Sequence, residues 1–106
     1  MAHTVIAVYR PHEGQGDQTL ELLRTHLPIL REQGLATETD SVLLRSSDGT
    51  FLEIFDWVSA EAVESAHTNE AVQAMWERFA KVCDYATLDA LPEAGRVFAH
   101  FERIAL

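Results

Sequence analysis

The sequence predicts an α+β fold: a four-stranded antiparallel sheet with two helices on one face. Three observations carry that expectation. Residues 50–58, Thr-Phe-Leu-Glu-Ile-Phe-Asp-Trp-Val, are rich in β-formers and bounded by turn residues, as a strand requires. Two apolar stripes recur at three and four residues, the spacing of amphipathic helices: Leu20, Leu23, Leu27 and Leu30, then Val72, Met75, Trp76, Phe79, Val82 and Cys83. Between two β-rich runs, Ser47-Asp48-Gly49-Thr50 is a hairpin signal, because Asp-Gly supplies the positive φ values of a tight turn.

Residues 4–10 form the first strand, and Pro11 to Gly16 a loop. Asp17 is placed to cap the first helix, and Gly34 to close it in a left-handed conformation. Pro28 lies inside that helix and lacks an N–H, which predicts a kink near His26. Ser41 to Ser47 is the second strand. Ser59 caps the second helix, and Thr68-Asn69 interrupts it, with Asn69 able to cap again. Tyr85 to Gly95 reads as irregular, anchored by Leu88 and Leu91, and residues 96–104 as the last strand.

The resulting βαββαβ order is that of the ferredoxin-like sandwich, whose helices cover one sheet face only. Side chains alternate along a strand, so residues 50–58 present large apolar groups on both faces. Phe51, Glu53, Phe55 and Trp57 share one parity, assigned to the uncovered face; Leu52 and Ile54 share the other, assigned to the helices. The uncovered face is expected to meet a second copy of the chain, a ligand, or both.

The chain has 106 residues, the size of a single domain (1–106), with 47 % hydrophobic and 24 % charged residues. Its net charge of −9, with no basic stripe, argues against nucleic acid and anionic membranes as partners. Cys83 is the only cysteine, which excludes an intrachain disulfide; its place on an apolar stripe makes it a small core residue. No apolar run approaches a membrane span, and no signal-peptide pattern opens the chain, so a cytoplasmic location is expected. The five histidines show no metal-ligand spacing, Gly14-Gln15-Gly16 lacks the lysine of a phosphate loop, and no metal or cofactor is expected.

Residues 51–57, Phe-Leu-Glu-Ile-Phe-Asp-Trp, are followed by Ala66-His-Thr-Asn-Glu-Ala-Val72, by Met75-Trp76 and Phe79, and by Phe98-Ala-His-Phe-Glu102. Over nearly its whole length the chain resembles the dimeric α/β-barrel superfamily, most closely members of the antibiotic-biosynthesis-monooxygenase type. That resemblance implies a homodimer through the open sheet face and a cofactor-independent monooxygenase-like enzyme. A base would deprotonate an aromatic or polyketide-like molecule, and the carbanion would react with oxygen directly. A non-catalytic ligand-binding or stress-related dimer is the alternative. Haem-degrading relatives carry an asparagine on the first strand, where this chain has Ala7 and Val8, so the resemblance does not extend to haem.

His67 and His100 are the candidate catalytic bases, because imidazole titrates near neutrality. Tyr9, Glu53, Phe55 and Trp76 are the candidates for substrate binding. Trp76 also shares a stripe with core residues, His67 can cap a helix end, and His100 can pair with a carboxylate at an interface. Glu53, between Phe51 and Phe55, needs a partner or water, since burying a lone carboxylate is costly. Arg10, Arg45 or Arg103 from a second copy, or a wet pocket, would meet that need.

Overall fold

In the computed structural model, which describes residues 2–106, the chain is an α+β domain built on one antiparallel sheet of five strands. The elements are β1 (His3–Pro11), α1 (Gly16–Glu32), β2 (Val42–Arg45), β3 (Phe51–Trp57), α2 (Ala60–Ala66), α3 (Glu70–Ala80), β4 (Cys83–Ala86) and β5 (Glu102–Ile104). Two short 3₁₀ turns, Leu88–Ala90 and Pro92–Gly95, precede β5. The strand order is β4-β1-β3-β2-β5. The sheet is therefore one strand wider than the sequence predicts. Among the described residues no helix is long and apolar enough to cross a membrane.

The local signals operate as expected. Gly49 takes a φ of 89° in the β2–β3 turn, where the Thr50 N–H donates to Asp48 Oδ1. Ser59 accepts from the Ala62 N–H and Asn69 from the Val72 N–H, so the second helical segment is two helices, each with its own cap. At the end of α1, Gly34 has a φ of 73°. There the Leu35 N–H reaches the Leu30 carbonyl and the Gly34 N–H that of Arg31, the paired bonds of a Schellman closure. One start expectation shifts: α1 is capped at Gln15 rather than Asp17, which sits in its first turn, and Pro28 lies inside the helix.

Three expectations are corrected. First, the sheet faces are the reverse of those assigned from the sequence. Phe51, Phe55 and Trp57 pack with Tyr9 and Leu43 against Leu23, Leu27 and Leu30 of α1 and Val72, Met75 and Phe79 of α3. Leu52 and Ile54 lie on the other face with Val8, Leu44 and Phe101. Second, the strand beside β1 is β4, from a stretch read as helix end and irregular segment. It places Tyr85 opposite Tyr9 and Cys83 opposite Pro11. Third, the expected strand 96–104 contracts to Glu102–Ile104, which pairs with β2 and is clamped by both nitrogens of the Arg45 fork on Glu102. Residues 96–100 are exposed, with Val97 at 93 % and Phe98 at 79 %.

The face away from the helices is partly covered. Leu91 packs on Val8 and Leu52, and the turn that carries it is held by Glu93. Its carboxylate accepts from Ser46 Oγ at 2.8 Å and from the Ser47 N–H at 2.9 Å, beside the β2–β3 turn. The Ser47 N–H bond in particular holds the Glu93 carboxyl below its ordinary value of 4.5. A lowered folded-state pKa stabilises above the ordinary range and is lost as pH falls through the lowered value. Glu93→Gln is therefore expected to melt below wild type at neutral pH, with the gap closing in acid. Thermal melts across the acid range check this; a gap independent of pH contradicts it.

Candidate functional site

A cavity of about 310 Å³ lies between the sheet and the helices. Its floor is the helix-facing parity of β1 and β3: Val5, Ala7 and Tyr9, with Phe55 and Trp57. His26 of α1, Trp76 of α3, His67 at the end of α2 and Tyr85 of β4 complete the wall. The lining is mostly aromatic, with few polar groups, the composition of a pocket for a flat apolar ligand. Tyr9 stacks on Phe79 at 5.4 Å between ring centroids, and His26 meets Phe55 edge-on at 5.3 Å.

Beneath this wall is the buried polar centre of the protein. Glu53, 1 % exposed, points from the middle of β3 into the helix-covered core. Its Oε1 accepts from the Tyr9 hydroxyl at 2.9 Å and is 2.8 Å from Nδ1 of His26. No arginine is involved, so the ion pairs expected across a dimer are replaced by two partners within the chain. A buried carboxylate is tolerable only when donors surround it, and this register supplies them. Tyr9 is two residues from Ala7, which stands opposite Glu53 on the neighbouring strand, and α1 lies over both. Burial, reinforced by the Glu53 charge, raises the Tyr9 pKa well above its ordinary 10.0, so the phenol stays protonated as a donor.

The tautomer of His26 follows from its partner. A carboxylate oxygen only accepts, so Nδ1 carries the proton and Nε2 is the basic nitrogen of the neutral ring. Every buried side-chain nitrogen and oxygen among the described residues has a hydrogen-bond partner. Nε2 makes no hydrogen bond within the protein, and the His26 ring is part of the cavity wall. A carboxylate that holds an imidazole by Nδ1 in the wall of a pocket is an arrangement that can orient a general base.

The residues singled out from the sequence divide accordingly. Tyr9, Phe55, Trp76 and His67 line the cavity, and Glu53 supports it from behind. Trp76 packs against the core and lines the wall. His67 donates from Nδ1 to the Val63 carbonyl at 2.8 Å and meets Trp76 edge-on, leaving its Nε2 unbonded at an exposed position. His100 lies in the exposed stretch before β5, outside the cavity wall. Sequence reasoning misses two residues. His26 lies on the Leu23–Leu27–Leu30 stripe, where a polar residue on a core-facing stripe was the available signal. Tyr85 sits on a strand too short to show a pattern; it is 58 % exposed, and the partial burial of its ring against the wall raises its hydroxyl to about 12.

Among the described residues no cluster of histidine, cysteine or carboxylate side chains could hold a metal ion. Cys83 is buried, and burial raises its thiol to about 11, which keeps it an unreactive core residue. No protein-family model and no curated protein matches the chain.

Removing the central acceptor leaves two buried donors unpaired. Glu53→Ala is expected to destabilise the fold by roughly 3 kcal/mol or more. Glu53→Gln, which keeps one acceptor oxygen, is expected to lose clearly less. Urea denaturation of both variants measures this; a loss in Glu53→Gln as large as that in Glu53→Ala would contradict it.

Proposed function

We propose that the cavity binds a flat, largely apolar aromatic or polyketide-like molecule carrying an acidic hydrogen, and that His26 removes that hydrogen. The observation that carries this is the buried Glu53–His26 pair, whose imidazole lines an aromatic pocket. Glu53 fixes the ring and balances the imidazolium that forms; Tyr9 holds Glu53. Tyr85 and Trp76 have hydrogens available to stabilise a developing enolate or phenolate. His67 replaces neither of these roles: at the mouth it is placed to meet a polar substituent. In this reading the general base is His26 and not His67 or His100.

The subsequent chemistry is a cofactor-independent monooxygenation. At a methylene between two aromatic rings, deprotonation gives an electron-rich carbanion that reacts with O₂. The carbon loses two hydrogens and gains one oxygen atom as a carbonyl, and the second oxygen leaves as water. Support for the oxygen step comes from the resemblance of residues 51–57, 66–79 and 98–102 to antibiotic-biosynthesis-monooxygenase-type proteins. The proton step rests on the geometry alone. The β4-β1-β3-β2 order, with all helices on one face, is compatible with a ferredoxin-like core to which β5 is added.

A specific observation favours a second reading, ligand binding without turnover: the Tyr9 hydroxyl is already committed to Glu53, which leaves few inward donors. An anthrone probe separates the two. Turnover is expected to consume oxygen, and His26→Gln to lower the rate by about 100-fold or more while His67→Ala retains most of it. Quenching of tryptophan fluorescence without oxygen uptake selects the binding reading. Wild-type turnover in His26→Gln removes His26 as the base.

The same proposal includes a homodimer through the face away from the helices. Ile6 is 45 % exposed at the centre of that face, beside the half-buried Ile54 and Leu44. An unpartnered apolar sheet surface of this kind is suited to a second sheet. Ile6→Asp is expected to give a folded monomer by light scattering; an unchanged dimer places the interface elsewhere.

A further inference from the structure

Glu53 belongs to a second cavity as well as to the buried polar centre. Both of its hydrogen bonds, from Tyr9 and His26, go to Oε1, and Oε2 accepts none within the protein. Glu53 is absent from the wall of the aromatic cavity but lines another, of about 370 Å³, where α1, the segment before β2 and the end of β5 meet. That volume falls within the roughly 300–1,000 Å³ of small-molecule sites. The charges of its wall are unlike those of the chain as a whole. Arg24, Arg31 and Arg103 outnumber Asp40 and Glu53 there, whereas the chain has 17 acidic and 8 basic residues. Two of these arginines brace the wall. Arg31 donates to the Thr37 and Thr39 carbonyls at 2.7 and 2.8 Å, and Arg24 to that of Ala105 at 3.4 Å. Arg103 enters no ion pair among the described residues.

We propose that this second cavity binds a small aliphatic amino carboxylate, its carboxylate on the arginines and its ammonium on Oε2 of Glu53. A carboxylate among guanidiniums gains charge-assisted hydrogen bonds, often two to one fork. A plain organic anion would meet the same arginines but also the like charges of Glu53 and Asp40. A plain amine would satisfy Glu53 but face three guanidiniums. A molecule carrying both groups pairs each kind of charge in the wall with its opposite. It also supplies the donor that the second oxygen of a buried carboxylate lacks. Leu27 and Pro28 add apolar surface to the wall, which suits a short aliphatic skeleton. Nothing in this site depends on His26 acting as a base.

The test is an NMR titration of ¹⁵N-labelled protein, following the arginine Nε–H signals and the amide of Ser41, which also lines this cavity. Norleucine and 6-aminohexanoate are the probes; each is hexanoate with one amino group added, at the near or the far end of the chain. Hexanoate and hexylamine are the controls that lack one of the two charges. At least one amino acid is expected to bind about tenfold or more tighter than either control, and Arg103→Met to weaken that binding by about tenfold. In Glu53→Gln the preference over hexanoate is expected to vanish; should that variant unfold, Arg103→Met, which changes an exposed side chain, decides together with the matched probes. The proposal is overturned if neither amino acid moves these signals at about 50 mM, or if a control binds as tightly as the better amino acid. Unchanged affinity in Arg103→Met overturns it too. An absence of oxygen uptake with anthrone would leave these titrations as they are, so the two proposals fail separately.

Discussion

A carboxylate buried at the centre of a sheet constrains everything around it. Glu53 sits on β3 with 1 % exposure, and an unsolvated carboxylate persists only if donors are brought to it. One comes from the adjacent strand, Tyr9, and one from the helix above, His26. The register of β1 on β3 and the position of α1 over both are therefore fixed by polar contacts as well as by apolar packing. The rings of Phe55 and Phe79 pack edge-on against His26, and in such a low-dielectric setting a hydrogen bond is stronger than in water. The same imidazole forms part of the wall of the aromatic cavity. Structural necessity and chemical capability thus come from one set of contacts.

A second buried carboxylate performs an analogous task at the sheet's other face. Glu93 ties the turn after β4 to the β2–β3 hairpin, and Leu91 thereby covers Val8 and Leu52. The cover stops short of Ile6, which leaves the middle of that face exposed. In a chain with 17 acidic residues, these two glutamates differ from the rest in being enclosed by donors. The remaining acidity is spread over a solvated surface.

Local signals were legible because each depends on a few adjacent residues: Ser59 and Asn69 as caps, Gly34 as a left-handed closure, Asp48-Gly49 as a turn. The sidedness of β3 was not. Phe51, Phe55 and Trp57 on one parity and Leu52 and Ile54 on the other are both apolar enough to be core. Glu53 tilts the assignment the wrong way, because a charge looks foreign to a core until its partners are known. Tyr9 and His26 are 44 and 27 residues distant from it in sequence. His26 enters the sequence reading only as the place of a kink, although its position on a leucine stripe marks it as inward-facing. β4 escapes notice because four residues, two of them exposed, show no usable periodicity. The apolar residues Val97 and Phe98 suggest a longer last strand, yet the structure leaves them in solvent.

The most direct measurement of the central claim is the tautomer of His26, read from long-range ¹H–¹⁵N correlation spectra of labelled protein with and without a hydroxynaphthalene in the aromatic cavity. An oriented base requires the hydrogen on Nδ1, held by Glu53, with the Nε2 resonance moving when the probe binds. A hydrogen on Nε2, or an Nε2 resonance indifferent to a probe that demonstrably binds, would contradict it.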